Sequence, residues 1–212
     1  MAYSFPSTVS TGDVLAASTW NQAIRENQKF GMATFTNEAA RDAAITSPEE
    51  GMRAYLTAPT VPAATGATTA LPTGITTIYN GTNWVCATPV SAFTATNGTT
   101  TSTSFTATLT SGGTNPSVTL VTGTTALVMV SATTSCTSGF THNMGVAVSG
   151  ATTLAASTEK GTYSTQSTAN RHSDQYVLTG LTAGTNTFTL QYITASGTAS
   201  FAQRNITVFG IA

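Results

Sequence analysis

Hydrophobic and polar positions along this chain change their period once. Between Ser18 and Gly31, Trp20, Ala23, Ile24 and Asn27 fall on one face at helical spacing, with Phe30 at its edge. Ser18 is placed to cap that helix and Gly31 to end it. A helix of roughly a dozen residues does not hold alone in water, so this one packs against its own domain, symmetry copies or a larger partner. A second short helix is predicted from Asn37 to Ala44, with Asn37 as its cap and Pro48 closing it off. Strand patterns follow at Gly51–Leu56, at Ile75–Tyr79 and at Trp84–Cys86, the last two joined around Asn80-Gly81, residues that tolerate positive φ. These three strands make a small sheet under the second helix. Between them, Ala58–Gly74 is rich in Pro, Ala, Thr and Gly and reads as an inserted loop, mobile unless pinned.

From about Phe93 the period is two. Phe105, Ala107 and Leu109 alternate with Thr106 and Thr108, predicting a strand with one wet face. The pattern recurs at Val118 and Leu120, at Met144, Val146 and Val148, at Tyr176–Leu178, at Phe188, Leu190 and Tyr192, and at Ile206 and Val208. Leu127–Val130 is an unbroken apolar run, as expected of a strand covered on both faces. Turn residues punctuate the series at Thr122-Gly123, Ser149-Gly150, Ala183-Gly184 and Ser196-Gly197. Roughly eight strands in ~110 residues give a mainly β chain with a C-terminal antiparallel β-sandwich. A jelly roll is the preferred topology and an immunoglobulin-like one the alternative, which periodicity does not separate. The expected parts are 1–57, an N-terminal module with two short helices and a first strand; 58–74, the insertion loop; 75–92, the completing hairpin and linker; and 93–212, the sandwich.

Charge sharpens this division. Only 7% of the 212 residues are charged, against ~25% in an ordinary domain. Ten of these charges lie between Asp13 and Arg53, and none between Ala54 and Thr158. With a net charge of −1 the chain lacks the clustered Lys and Arg that nucleic acid or an anionic membrane surface requires. No run of ~18 apolar residues predicts a membrane span, and Met1–Pro6 has neither the basic nor the apolar region of a secretory signal. Cys86 and Cys136 make no disulfide framework and read as unpaired thiols of a chain made in a reducing cytosol. A cytosolic origin combined with a Thr-rich, charge-poor composition fits a protein that works in a virion.

Three parts of the chain carry a resemblance. Gly12-Asp13-Val14-Leu15-Ala16-Ala17-Ser18-Thr19-Trp20-Asn21, continued by Ile24-Arg25-Glu26-Asn27, resembles the N-terminal module of many bacteriophage minor tail, tail-fibre and head-fibre proteins, with Ala16 in place of the usual Thr. Ala39–Ile45, Pro48, Glu50–Leu56 and Tyr79–Val85 look like a short repeat of phage fibre and tail proteins, whose halves are here split by Ala58–Gly74. The stretches Ala147–Thr153 and Leu178–Phe188 are similar to trimeric phage jelly rolls. The resemblance implies a homotrimer, attached to another virion protein (capsid, portal or tail component) by its N-terminal module and displaying its sandwich toward a host or surface glycan. Trp20, Ile24, Arg25, Asn27 and Phe30 are the attachment or trimer-interface candidates. Asn27 is either a buried polar residue that fixes register or a water-facing one at the helix end. A capsid decoration protein is the alternative within this class.

Little catalytic chemistry is on offer. Glu159 and Asp174 are the only carboxylates after residue 57, the minimum set for glycoside hydrolysis by a polysaccharide-degrading tailspike. His172-Ser173-Asp174 are consecutive and cannot form a triad. The two histidines, His142 and His172, have no zinc spacing within one chain. No enzyme, metal or cofactor is expected. Phe140, His142, Tyr163, Arg171 and His172 combine rings with hydrogen-bonding groups in what read as exposed loops, including Gly161–Ser173, and are the ligand-contact candidates.

Overall fold

The computed structural model describes residues 32–211, which form three sheets and one α-helix. The helical face with Trp20, Ile24, Arg25, Asn27 and Phe30 lies outside the described residues.

The first unit is small. Strand β1 (Ala33–Phe35) runs parallel to β2 (Arg53–Leu56), which pairs antiparallel with β5 (Ile75–Tyr79) and through it with β6 (Trp84–Cys86). Helix α1 (Glu38–Ala44) starts where the sequence places it: Asn37 is extended, and its side chain accepts a 3.0 Å hydrogen bond from Ala40 N. It ends at Ile45, ahead of Pro48. Arg41 is the buried residue of the helix, its guanidinium 4.7 Å from the centre of the Trp84 ring and bound to Asp42 at 2.9 Å. The β5–β6 connection spans Asn80–Asn83, not two residues. Asn80 Oδ1 accepts from Thr82 N and Asn83 N at 3.1 and 2.8 Å, and Gly81 takes φ +89°.

The insertion is pinned. β3 (Ala63–Thr65) and β4 (Thr68–Ala70) are short strands where a loop was expected. Glu38 fixes the start of this segment, its carboxylate accepting from Thr60 N, Thr60 Oγ1 and Val61 N at 2.9–3.2 Å. β3 then adds to β9 (Ser117–Thr122) and β4 to β7 (Val90–Thr94), on different sheets of the sandwich.

The sandwich itself begins at β7. One sheet has the order β13 (Asn170–Thr179), β10 (Thr125–Cys136), β15 (Ala199–Ile211), β7, β4, with β8 (Gly98–Thr100) also on β15. The other has the order β12 (Gly161–Ser164), β11 (His142–Gly150), β14 (Gly184–Thr194), β9, β3. The series 7-15-10-13 facing 9-14-11-12 is the jelly-roll arrangement of two interlocked Greek keys, and it excludes the immunoglobulin-like order. Between the sheets, Val128, Val130 and Ile206 meet Leu120, Met144, Phe188 and Leu190, all buried.

Two strand expectations need correction. Residues 103–110 form only isolated bridges, Thr99↔Thr110 and Thr106↔Tyr192. Hydroxyls divert the backbone there: Thr100, Ser102 and Thr106 each accept from the N–H two residues on, at 3.1–3.3 Å. The run Leu127–Val130 is not covered on both faces. Val128 and Val130 face the core, whereas Leu127 and Met129 lie half-buried on the outside of the six-stranded sheet.

The small sheet and the sandwich share one core, since Leu56, Ile75 and Cys86 belong to the same buried cluster as the sandwich strands. β15 passes so close to β6 that a Cβ on Gly210 would lie 2.7 Å from Cys86 O. The module therefore sits at the pole of the jelly roll where β15 ends and where β9 turns into β10 at Gly123. No helix among the described residues is long and apolar enough to cross a membrane.

Candidate functional site

Alternation along β10, β13 and β15 decides which side chains reach the two outer surfaces of the sandwich. Where β10 is flanked by β13 and β15, Ser131 is opposite Ser173 and Asn205, and Met129 is opposite Gln175 and Thr207. These six side chains line an open groove of about 590 Å³ on the outside of the six-stranded sheet. Asn205 Nδ2 donates to Ser91 Oγ at 3.1 Å, and Thr207 Oγ1 bonds Ser91 Oγ and Asn205 Oδ1 at 2.9 and 3.3 Å. One wall is therefore held rigidly. Asp174, opposite core-facing Val130, touches the groove with its main chain, and its carboxylate turns inward to accept from Gly161 N and Gln175 N at 3.0 and 2.9 Å.

The ligand-contact candidates do not converge. Arg171 is the one that lies on this sheet face. Its Nη1 donates to Gln203 Oε1 at 3.1 Å and its Nη2 to Ser131 Oγ at 2.9 Å. A bulge places Gln203 there: the β10–β15 register shifts between Ser131 and Thr133, and Gln203 has φ +49°. Tyr163 is 58% exposed on edge strand β12 of the five-stranded sheet. Phe140 is 42% exposed in the β10–β11 connection, beside Gly197. Gly161–Ser173, expected as one exposed loop, instead contributes β12 and the first residues of β13.

His142 is a core residue, 1% exposed, with its ring edge-on to Phe201 at 5.9 Å. Its Nδ1 lies 2.9 Å from Phe140 O and its Nε2 3.1 Å from Thr134 Oγ1. A carbonyl can only accept, so the neutral ring carries its proton on Nδ1 and accepts a hydrogen bond from the Thr134 hydroxyl at Nε2. Burial pushes its pKa below the ordinary value, and His172 adds to the shift. His172 is half-buried, with Nε2 enclosed and unpartnered among the described residues. Neither histidine offers a ring to a ligand on the surface.

Sequence reasoning missed a buried polar network around Arg204, which is 1% exposed. Arg204 Nη1 donates to Tyr192 Oη at 3.1 Å, Tyr192 donates to Asn115 Oδ1 at 2.7 Å, and Asn115 Nδ2 donates to Leu190 O at 2.8 Å. Arg204 Nη2 bonds Thr96 O and Gly112 O. Burial pushes the Tyr192 hydroxyl up to about 12 against the pull of the Arg204 cation. The network ties both sheets to two connecting loops. Its one signal in the sequence was an Arg at an inward-facing position between Ala202 and Ile206.

Among the described residues no three His, Cys, Asp or Glu side chains are grouped to hold a metal. Cys86 and Cys136 are both buried and unpaired, and burial raises the Cys86 thiol.

No family model matches the chain, and no curated protein does. Among solved structures it is similar to Eiger TNF from S. frugiperda, at 16% identity and a TM-score of 0.35 over 56% of this chain and 87% of that one. It is also similar to the CBM22-1 xylan-binding domain from Paenibacillus barcinonensis Xyn10C, at 14% identity and a TM-score of 0.26 over 57% of this chain and 87% of that one. A third likeness is to the CBM22-1–GH10 modules of a Clostridium thermocellum endo-1,4-beta-D-xylanase, at 14% identity and a TM-score of 0.28 over 55% and 26% of the two chains. None of these likenesses bears on what this chain binds or does.

Proposed function

We propose that the chain is a non-enzymatic structural protein of a bacteriophage virion: a homotrimeric fibre or spike that attaches through its N-terminal segment and displays a jelly roll. The observation that supports this reading best is the polarity of the fold. The module with the phage-like repeat is fused to one pole of the jelly roll, through Gly210, Cys86 and Leu56. The connections at the opposite pole carry exposed Phe140. The charges of the described residues follow the same axis, with Glu38, Arg41, Asp42, Glu49, Glu50 and Arg53 all in that module, where ion pairs can make docking to a partner specific. A decoration protein on the capsid surface is the second reading, favoured by the same polarity, and copy number separates the two.

Quantitative mass spectrometry of intact particles is the test. A few to a few tens of copies per particle is the result expected of a fibre or spike, and hundreds would make it a decoration protein. Absence from purified particles overturns both. Light scattering on the full chain is expected to give three times 21.6 kDa, and a stable monomer at micromolar concentration refutes the trimer.

A further inference from the structure

We propose that the groove on the outer face of the six-stranded sheet binds a neutral oligosaccharide, which gives the display reading above its ligand class and rests on that reading. The groove is lined by two hydroxyls from facing strands, Ser131 and Ser173, two amides, Gln175 and Asn205, a third hydroxyl, Thr207, and the thioether of Met129. Each sugar hydroxyl needs both a donor and an acceptor, and amides and hydroxyls are the side chains that supply both without charge. Part of the set is already organised, because Ser91 fixes Asn205 and Thr207 through bonds of 2.9–3.1 Å. The Gln175 amide and the Ser173 hydroxyl have no protein partner among the described residues and are open to a ligand. Met129, half-buried between these rows, offers an apolar floor to the C–H face of a ring.

The electrostatics select against charged ligands. Asp174 meets the groove through its main chain alone, and its carboxylate turns to the opposite side of the sheet, where Gly161 N and Gln175 N donate to it. Arg171, at one end of the face, is spread across Gln203 and Ser131. A cationic ligand would find no carboxylate on this face, and Arg171 is a single cation at its edge, not the clustered positive charge that draws a polyanion. The rows on β13, β10 and β15 are ~4.8 Å apart, close to the span of one pyranose ring, so a chain crossing the strands meets a new row at each sugar.

Affinity electrophoresis of the full-length protein tests this, with dextran, galactomannan and xyloglucan in the gel as neutral probes and polygalacturonate as the acidic one. Retardation by at least one neutral polymer and none by polygalacturonate is expected. Gln175→Ala and Ser173→Trp should each weaken it about fivefold, the scale of one lost hydrogen bond, while Gln191→Ala on the opposite sheet retains it. Melting curves matching the parent confirm that both groove variants are folded, and Gln175→Ala, a surface truncation, serves if Ser173→Trp is not. The proposal is overturned by no retardation in any neutral gel, by retardation in polygalacturonate alone, or by full retardation of the folded groove variants. It is equally overturned if Ser173→Trp turns a trimer into a monomer, since a second copy then covers this face. Absence of the protein from phage particles would sink the display reading alone, because the gel result does not depend on virion location.

Discussion

At the scale of single residues, Thr and Ser serve as interior hydrogen-bonding groups. Thr94 donates to Thr114 O at 2.7 Å and accepts from Ala67 N at 3.1 Å, and Thr194 donates to Ser196 O at 2.6 Å. Satisfied hydroxyls can be buried without the penalty of an orphaned polar group. Arg204 departs from this, an interior cation whose partners are carbonyls and a phenol and not a carboxylate, and whose buried Nε has no partner among the described residues. Arg204→Ala is expected to cost about 3 kcal/mol in urea unfolding, from the cavity and the stranded partners. Arg204→Met, which keeps most of the volume without the charge, should cost less.

His142 gives the pH dependence. Its folded pKa is below the unfolded value of about 6.5, so the unfolded chain takes up its proton first as pH falls. The contribution of the neutral ring is complete above about pH 6.5 and declines below it, until the lowered pKa of the folded state is reached. For one proton the slope is at most about 1.4 kcal/mol per pH unit. Urea midpoints measured from pH 7.5 to 5 should fall with acid, and His142→Gln should flatten that fall. An unchanged slope in the variant would assign the effect elsewhere.

Among elements, the 58–74 segment is the most informative, because its composition says loop and its position says strand. β3 and β4 are three residues each, too short to show a period. They form because the sandwich edges on β9 and β7 offer unpaired backbone and because Glu38 holds the segment's start. Burial works against the Glu38 charge, but the N–H groups of Thr60 and Val61 and the Thr60 hydroxyl outweigh it and hold the carboxyl below its ordinary range. Glu38→Gln removes the charge from these bonds. Limited proteolysis should then cut between residues 58 and 74 several-fold faster, with a melting temperature close to the parent's. In the parent the same increase should appear only as pH falls below the ordinary carboxylate range, because the tether is complete above it and is lost through the lowered folded pKa.

Legibility in the sequence followed element length and side-chain type. β14 and β15, at 11 and 13 residues, show the two-residue period plainly, the apolar run Leu127–Val130 concealed it in β10, and helix α1 announced itself through Asn37. Residues 103–110 had the same period in Thr and apolar residues, yet hydroxyl-to-backbone bonds competed with the ladder and won. The groove was hidden for another reason. Ser131, Ser173, Gln175, Asn205 and Thr207 are unremarkable singly, and only the register of three strands distant in sequence puts them together.

For the whole molecule, the shared core changes where it can be cut. Removing residues 1–50 takes away β1 and α1, and with them Phe35, which packs against the core, the Arg41–Trp84 stack and the Glu38 tether. Such a truncation is expected to melt several degrees lower than the full chain, since about 1 kcal/mol is worth 2–4 °C at this size. If the truncated chain melts like the parent, β1 and α1 contribute nothing to the jelly roll.

The placement of β3 and β4 also bears on inheritance. Each adds to a different sheet of the jelly roll, yet in sequence both precede β5 and β6 of the small sheet. The two units are therefore interleaved along the gene. A crossover near residue 92 that joined this jelly roll to another protein's basal module would leave the edges of β7 and β9 bare, and such exposed edges recruit foreign strands. The small module and the jelly roll therefore have to travel as one cassette.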